Sequence, residues 1–243
     1  MKAIKRNLIL TLLVVLMAGV FTDNTLAYAE HTSKEEHSMV NHIRWLGHDS
    51  FRVAGEKIIY TDPFNIKKKE EADIILVTHE HFDHCSPEDI SKLQGKDTII
   101  VTTGDCATKL KGNIKIIRPG EKLTVSGIPI EAVPAYNTNK NFHPKSNGWV
   151  GYVFTINGLQ HYIAGDTDYI SEMKSLKDID IAFLPVSGTY VMTANEAAKA
   201  ALTIKPKTAI PMHYGSIVGT NNDADSFSNA LKGKIDVVIL KQE

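Results

Sequence analysis

The sequence of 243 residues has few cysteines and no large excess of charge of either sign. Its two cysteines, Cys85 and Cys106, are too few for a disulfide-rich scaffold or a cysteine-rich zinc finger. The formal net charge of −1 excludes a strong overall field that would draw the chain onto nucleic acid or an anionic membrane. Hydrophobic residues make up 43% and charged residues 23%, which excludes a disordered chain and a polytopic membrane protein and allows a sizeable core.

The amino-terminal apolar run, from Leu8 to Phe21, is shorter than the ~20 residues that span a bilayer. It follows a basic start and precedes Ala27-Tyr28-Ala29, an arrangement typical of a secretory signal peptide, with a membrane anchor as the alternative. We predict a signal peptide over residues 1–29 and a polar linker over residues 30–41. Cleavage would release a secreted chain, extracellular or periplasmic, with no stable membrane span and a net charge of −3.

Short apolar runs bounded by Gly, Pro, Asn or Asp recur through the rest of the chain and predict strands, the last of them over residues 237–240. Asn157-Gly158 separates two such runs and predicts a hairpin. Ser86-Pro87 and Thr193-Ala-Asn-Glu196 predict the first residues of helices. The pattern predicts one mixed α and β domain over residues 42–243, with two packed sheets covered by helices.

Four potential metal ligands stand within six consecutive positions between a predicted strand and a predicted helix: His79, His81, Asp83 and His84. Turns of this kind expose functional groups in α/β frameworks. Four such side chains are not buried together unless they are paired or bind a metal. A loop of solvated histidines, the alternative, does not explain their place between an apolar strand and a capped helix. We therefore predict a metal site, with zinc favoured and iron or manganese possible.

The pattern H-x-H-x-D-H formed by these four residues resembles the metallo-β-lactamase superfamily of hydrolases. Two segments, Trp45-Leu-Gly-His-Asp-Ser-Phe51 and Tyr60-Thr-Asp-Pro-Phe64, are similar to the branch that includes ascorbate-phosphate lactonase and the phospholipase D that cleaves N-acylphosphatidylethanolamine. The resemblance extends from about His42 to the last residue. It implies a four-layer αββα sandwich with a two-metal site at one edge. His79 and His81 would bind one metal, and the Asp83-His84 pair would begin the second site.

The resemblance also implies ligands from distant parts of the chain. Asp166 would bridge the two metals, with a plain turn residue as the alternative, and His213 would complete the second site unless it is a core histidine. The family usually has a further histidine where this chain has Tyr136 and Asn137. We expect His143, in the following loop, to supply that ligand; the alternative is a loop histidine that contacts substrate or water and leaves a single metal or a looser site.

Four residues have weaker claims to a role in the site. His48 lies in a family-like segment and is expected to contact substrate, with a hydrogen bond to a metal ligand or metal binding itself as the alternatives. Tyr136 and Tyr190 are expected to border the substrate pocket, although core packing is an equal alternative for Tyr136. Asp62 is expected to orient a metal-bound histidine, although a turn residue is an equal alternative.

The resemblance implies hydrolysis by a hydroxide held between two divalent metal ions, which lower the pKa of water to about 7. Asp83 would orient the hydroxide, and Asp166 would lie beside both metals. An ester, lactone or phosphodiester bond of a small molecule or lipid would be cleaved. The alternatives are a phosphodiesterase or nuclease of the same superfamily, with nucleic acid disfavoured by the acidic mature chain, and a non-catalytic metal-binding module. Neither the oligomeric state nor a bond between Cys85 and Cys106 can be predicted from these patterns.

Overall fold

The computed structural model describes residues 39–67 and 70–243. The predicted signal peptide and residues 30–38 of the predicted linker lie outside these residues. Residues 42–243 form one unit in which two β-sheets pack face to face. Within the described residues, no helix is long and apolar enough to cross a membrane.

The first sheet contains six strands in chain order. They are β1 (Ile43–Gly47), β2 (Ser50–Ala54), β3 (Ile58–Thr61), β4 (Ala72–Val77), β5 (Gln94–Thr102) and β6 (Asn113–Ile116). Strands β1 to β3 form an antiparallel meander, and β3 to β6 run parallel. The sequence does not predict β6, because most of its side chains are exposed and no apolar run marks it.

The second sheet contains seven strands in the order β13-β12-β11-β10-β9-β8-β7. They are β7 (Lys122–Val125), β8 (Ile128–Pro134), β9 (Val150–Ile156), β10 (Leu159–Ile163), β11 (Ile181–Pro185), β12 (Thr208–Met212) and β13 (Asp236–Val237). Strands β7 to β10 are antiparallel and β10 to β13 are parallel. The predicted hairpin at Asn157-Gly158 is confirmed, since both residues have the positive φ that a tight hairpin turn requires (54° and 73°).

The predicted strand over residues 237–240 is wrong in its bounds. Asp236 and Val237 pair with β12, Val238 N donates one further hydrogen bond to the carbonyl oxygen of Ala209 at 3.1 Å, and the chain then leaves the second sheet. Gln242 instead forms an isolated parallel bridge with Trp45 of β1. The last apolar residues are therefore drawn toward the free edge of the first sheet rather than extending the second.

Helices cover the outer faces of the two sheets. They are α1 (Pro87–Leu93), α2 (Gly104–Ala107), α3 (Ala194–Ile204) and α4 (Asn221–Leu231). Both predicted helix starts are confirmed: Ser86 Oγ accepts a hydrogen bond from Asp89 N at 3.2 Å, and Thr193 forms a capping box with Glu196. Helix α1 buries Ile90 and Leu93 in a cluster with residues of β4 and β5, including Ile75 and Val77 of β4, whereas α3 and α4 pack on β11 and β12.

Aromatic side chains join the inner faces of the two sheets. The ring of Phe51 in β2 lies 4.7 Å from that of Phe183 in β11, measured between centroids. The hydroxyl of Tyr152 in β9 donates to the carbonyl oxygen of Val77 at the end of β4, at 2.8 Å. These contacts confirm the predicted four-layer αββα sandwich and fix the end of β4 against the second sheet.

Candidate metal centre

Histidine and aspartate side chains from several loops meet at one edge of the sandwich. The loops and their residues are the one after β1 (His48, Asp49), after β3 (Asp62), after β4 (His79, His81, Asp83, His84), between β8 and β9 (His143), after β10 (Asp166) and after β12 (His213). Each loop follows the end of a strand, so the two sheets determine the positions of the backbone atoms that carry these side chains. We describe the cluster as two halves on either side of Asp166.

The first half consists of His79, His81 and His143, whose candidate ligand atoms all lie within 4.8 Å of one another. His79 Nε2 is 3.0 Å from His81 Nδ1. The indole ring of Trp149 packs against these imidazoles, with its centroid 4.8 Å from those of His79 and His81. Trp149 is itself fixed by a hydrogen bond from Nε1 to Asp105 Oδ2 at 2.6 Å. The first half is therefore a set of three imidazoles on an aromatic wall.

Asn137 holds His143 in the first half. Its Oδ1 accepts a hydrogen bond from His143 N at 3.0 Å and lies 3.1 Å from His143 Nδ1. This arrangement directs Nε2 of His143 toward Asp166 Oδ2, at 3.1 Å. Asn137 thus positions a histidine that enters from six residues further along the chain. The structure brings His143 into the cluster, and its role as a ligand stays a prediction.

The second half consists of His48, Asp49, Asp83, His84 and His213. Their candidate ligand atoms fall into two overlapping groups, one of which includes Asp166, and within each group the atoms lie within 4.8 Å of one another. His48 Nε2 is 3.1 Å from Asp83 Oδ2, and Asp49 Oδ2 is 3.6 Å from His84 Nε2. Sequence reasoning missed Asp49. Its only signal is a carboxylate next to His48 in the family-like segment after β1.

Asp166 lies between the two halves. Its Oδ2 is 3.1 Å from His143 Nε2 and 3.1 Å from His213 Nε2, while its Oδ1 is 3.5 Å from His84 Nε2. Gly165 precedes it with a φ of 63°, and a Cβ there would come within 2.9 Å of the carbonyl oxygen of Val150. Only glycine fits this turn without strain, and the turn places the carboxylate at the centre of the cluster.

Polar groups behind the second half fix the orientation of its imidazoles. Asp62 accepts hydrogen bonds from Thr78 N and Oγ1, at 2.8 and 2.7 Å, and its Oδ2 is 2.8 Å from His84 Nδ1. Ser187 Oγ lies 2.8 Å from His213 Nδ1. In both cases Nε2 remains directed into the cluster, which is the arrangement that supports a metal-binding histidine.

Backbone strain accompanies this arrangement. His48, Asp62 and His213 have positive φ angles of 53°, 39° and 60°, a conformation that costs free energy for residues other than glycine. Such strain persists only where surrounding contacts enforce it, and it is concentrated at functional sites. A hydrogen bond from His213 N to the carbonyl oxygen of His48, at 3.2 Å, ties two of these strained turns together.

The two halves differ in charge. Burial lowers the pKa values of His79 and His81, and neighbouring imidazoles lower them further, so these two side chains are neutral at pH 7. Burial also opposes the charged form of His213, but the carboxylates of Asp166 and Asp49 outweigh it and raise its pKa to about 9. Burial raises the pKa of Asp49 above its usual value, although the charges of the nearby histidines act to lower it.

The buried polar atoms of the cluster fit a bound cation. His84 Nε2, Asp166 Oδ1 and both carboxylate oxygens of Asp49 are buried and have no hydrogen-bond partner among the described residues. Unpartnered buried polar atoms are costly and rare. Here they converge on one another with imidazole nitrogens beside them, a set of donors that suits zinc and other first-row divalent ions. The candidate centre has the donors that a metal requires.

The remaining predicted site residues lie around this cluster. His48 is 1% exposed and contacts Asp83 within the second half, so it does not face an open pocket. The hydroxyl of Tyr136 donates to the carboxylate of Glu172 at 2.9 Å, while the ring of Tyr190 packs edge-on against Phe142. Their predicted contacts with substrate stay predictions.

Both cysteines are buried and have free thiols. Cys85 and Cys106 belong to the hydrophobic cluster beneath α1, together with Ile90 and Leu93. Cys85 therefore packs away from the metal centre although it follows His84 in the chain.

Comparison with known proteins gives the class of this fold and site. Residues 42–213 match the family described as "Beta-lactamase superfamily domain". A solved structure of a putative metal-dependent hydrolase from Parabacteroides distasonis is 40% identical, with a TM-score of 0.75, over 83% of this chain and 93% of that one. The site thus lies in a metallo-β-lactamase fold.

Two curated archaeal proteins are similar over most of their length. The UPF0173 metal-dependent hydrolase of Thermococcus onnurineus is 35% identical, covering 82% of this chain and 96% of the relative. The corresponding protein of Pyrococcus abyssi is 32% identical over the same shares. The chain belongs to the UPF0173 family of metal-dependent hydrolases within the metallo-β-lactamase superfamily. It is an enzyme whose activity depends on metal, while the lactonase and phospholipase branch stays a prediction.

Proposed function

We propose that this chain is an exported hydrolase with two divalent metal ions, zinc in the first half of the centre, that cleaves an ester, lactone or phosphodiester bond in a small molecule or lipid-derived substrate. The observation that carries the proposal is the position of Asp166, whose carboxylate lies 3.1 Å from an imidazole of each half. A carboxylate has two oxygens and can serve two sites at once. Divalent ions bound there would act as Lewis acids and lower the pKa of water.

Different side chains of this chain would bind the two ions. His79, His81 and His143 would hold the first ion, and Asp83, His84 and His213 the second, with Asp166 shared. Asp62 would keep the Nε2 atom of His84 directed into the centre through its contact with Nδ1, 2.8 Å away. These roles are supported by the distances and, for His84 Nε2, His143 Nε2 and Asp166 Oδ1, by the absence of a hydrogen-bond partner among the described residues.

Asp83 is suited to orient the attacking water. Its side chain is 13% exposed, whereas those of Asp49 and Asp166 are 0% and 4% exposed, so Asp83 is the carboxylate of the centre that best reaches solvent. Burial raises its pKa, but the hydrogen bond with His48 and the charge of His84 outweigh burial and lower it below the usual value. Asp83 is therefore ionised at neutral pH and can accept a proton from water.

Exposed aromatic side chains support the proposed substrate class. Phe82, between two donors of the centre in the sequence, is 68% exposed, and Phe142, next to His143, is 49% exposed. Each has one edge-on aromatic partner, Phe64 or Tyr190, with ring centroids 5.8 and 4.7 Å apart. Large apolar side chains beside a polar centre favour a substrate with an apolar part, such as an acyl chain or a small ring.

Export is proposed from the sequence alone. The basic start, the short apolar run and the small residues at positions 27 and 29 favour cleavage of a signal peptide. Mass spectrometry of the protein recovered outside the cytoplasm tests this: a mature chain that begins at Glu30 supports export, and an intact chain that begins at Met1 contradicts it.

The activity is tested with a panel of lactone, ester, phosphodiester and thioester substrates. We expect turnover of an ester, lactone or phosphodiester that is abolished by chelation and by Asp83→Asn, while Asp180→Asn, which changes a largely buried carboxylate just before β11 that is not part of the centre, keeps it. Cleavage confined to phosphodiesters would favour the phosphodiesterase or nuclease. Full metal occupancy with no turnover of any panel member would favour a binding module and contradict the proposal.

A further inference from the structure

We propose that Asp49 is a further metal-binding residue and that it makes the second half of the centre selective for a divalent cation that prefers oxygen ligands, such as Mn²⁺. This inference rests on the two-ion centre proposed above and names the cation of its second half. It concerns a residue outside the H-x-H-x-D-H pattern and outside the other ligands expected from the superfamily.

The side chain of Asp49 is fully buried and lacks hydrogen-bond partners among the described residues. It is 0% exposed, and neither carboxylate oxygen accepts a hydrogen bond from any described residue. A buried carboxylate is ordinarily compensated by donors from the backbone or by a cation. Thr61 Oγ1 donates to the backbone carbonyl of Asp49, at 3.3 Å, and so leaves the carboxylate unsatisfied.

The carboxylate is aimed at the imidazoles of the second half. Its Oδ2 lies 3.5 Å from His48 Nε2, 3.6 Å from His84 Nε2 and 3.8 Å from His213 Nε2. These separations exceed those of good hydrogen bonds and leave the oxygen facing three nitrogens across a small gap. His84 and His213 have their other ring nitrogens bonded to Asp62 and Ser187, which leaves Nε2 of each free to face the same point.

Asp49 changes the chemistry of the second half relative to the first. The first half offers three imidazoles and the shared carboxylate of Asp166. The second half offers Asp49, Asp83 and the same Asp166, so carboxylates equal its three imidazoles in number. Imidazole-rich sites suit zinc, whereas carboxylate-rich sites with more ligands suit Mn²⁺ and other harder ions. The donor sets therefore favour different ions in the two halves.

The test measures metal binding rather than turnover. The metal-free full chain, Asp49→Asn and Asp49→Ser are titrated with Zn²⁺ and Mn²⁺ against a chelator of known affinity, and metal content at saturation is measured by mass spectrometry. The matched control is Asp180→Asn, which removes a largely buried carboxylate that accepts a hydrogen bond from Gln160 N at 2.7 Å and is not part of the centre. Circular dichroism confirms that each variant is folded.

We expect both Asp49 variants to keep the first equivalent of Zn²⁺ with unchanged affinity and to lose at least about tenfold in affinity for Mn²⁺ in the second. The loss for Mn²⁺ should exceed the loss for Zn²⁺, and the control should match the wild type. Unchanged Mn²⁺ affinity in folded Asp49 variants would overturn the proposal. A wild-type chain that binds only one ion would instead overturn the two-ion centre on which it rests.

A second measurement needs no variant. In crystals of the wild-type protein grown with Mn²⁺, anomalous scattering locates the ion independently of the side chains. Direct contact between an Asp49 oxygen and the Mn²⁺ peak of the second half is expected. A peak there without contact to Asp49 would overturn the proposal even if the Asp49 variants failed to fold.

Discussion

The first half of the metal centre takes its side chains from two loops, whereas the second half takes them from three. The first half contains only imidazoles, two of them neutral through burial, beside the indole of Trp149. The second half mixes carboxylates with imidazoles, and its turns at His48 and His213 have positive φ. The fold thus places backbone strain and charged groups in the second half, and a neutral set of donors without such strain in the first. The carboxylate of Asp166 lies between these two halves and contacts an imidazole of each.

Asp166→Asn should have the largest effect because it is the one change that reaches both halves. Replacing its charge weakens contacts with His143 and His213, each at 3.1 Å. We expect metal content below one ion per chain and hydrolysis reduced by about 10³-fold or more. Metal analysis and rates on a panel substrate measure this. Retention of one ion at wild-type affinity would show that Asp166 serves a single half.

His143→Ala should affect the first half alone. It removes one of three imidazoles and leaves the donors of the second half in place, so we expect the loss of one ion per chain with the other still bound. Equilibrium dialysis followed by metal analysis measures the stoichiometry. An unchanged count of ions would remove His143 from the ligands and leave Asn137 with no metal ligand to position.

Asn137→Ala and Asp62→Asn should weaken opposite halves by smaller amounts. Asn137 holds His143 and Asp62 holds His84, in each case through the ring nitrogen that faces away from the centre. Changes of this kind reduce metal affinity by about 10–100-fold. Chelator competition should therefore show weaker metal binding in the first half for Asn137→Ala and weaker metal binding in the second half for Asp62→Asn. If both variants weakened the same ion, the division into halves would be wrong.

We expect the smallest effect on metal binding from a change at His161, a histidine outside the centre. Burial, and then the neighbouring His42, lower the pKa of His161 to about 4, and its ring stacks on Phe154 with centroids 5.1 Å apart. Between pH 6.5 and 4 the unfolded chain binds a proton that the folded chain excludes, so His161 makes stability fall as the pH falls through this range.

His161→Phe should keep the stacking and remove this acid sensitivity. Urea unfolding of the metal-free variant is expected to show a smaller loss of stability toward pH 4 than that of the metal-free wild type, by about 3 kcal/mol, with metal affinity unchanged. An identical pH dependence in the two proteins, or altered metal binding in the variant, would refute the separate role of His161.

The sequence predicts the fold and the first half more fully than the second. Runs of apolar residues and the capping signals at Ser86 and Thr193 depend only on residues close in sequence. The strands and helices that frame the centre could therefore be predicted from the sequence. His79 and His81 of the first half are also close in sequence, as are Asp83 and His84 of the second, whereas Asp49 and His213 of the second half come from separate loops. Strand β6 and the end of the second sheet could not be predicted from the sequence, because each depends on the sheet edge with which the chain pairs.

Asp49 shows why the remainder of the site escaped prediction. Its sequence signal is only its place next to His48, and its role can be recognised only when β1, β4 and β12 bring it opposite His84 and His213. Asn137 is similar: it stands at a position where the family resemblance predicts a ligand, yet it acts on His143 six residues away. Roles that come from contacts distant in sequence need the fold before they can be recognised.

The central claim is that distant loops of one chain assemble a two-part centre around Asp166. Anomalous diffraction from crystals of the metal-loaded protein tests it most directly. The account predicts two ions per chain, one bound by His79, His81 and His143 and the other by Asp83, His84 and His213, with an oxygen of Asp166 on each. A single ion, or imidazoles of these residues turned away from any ion, would contradict it.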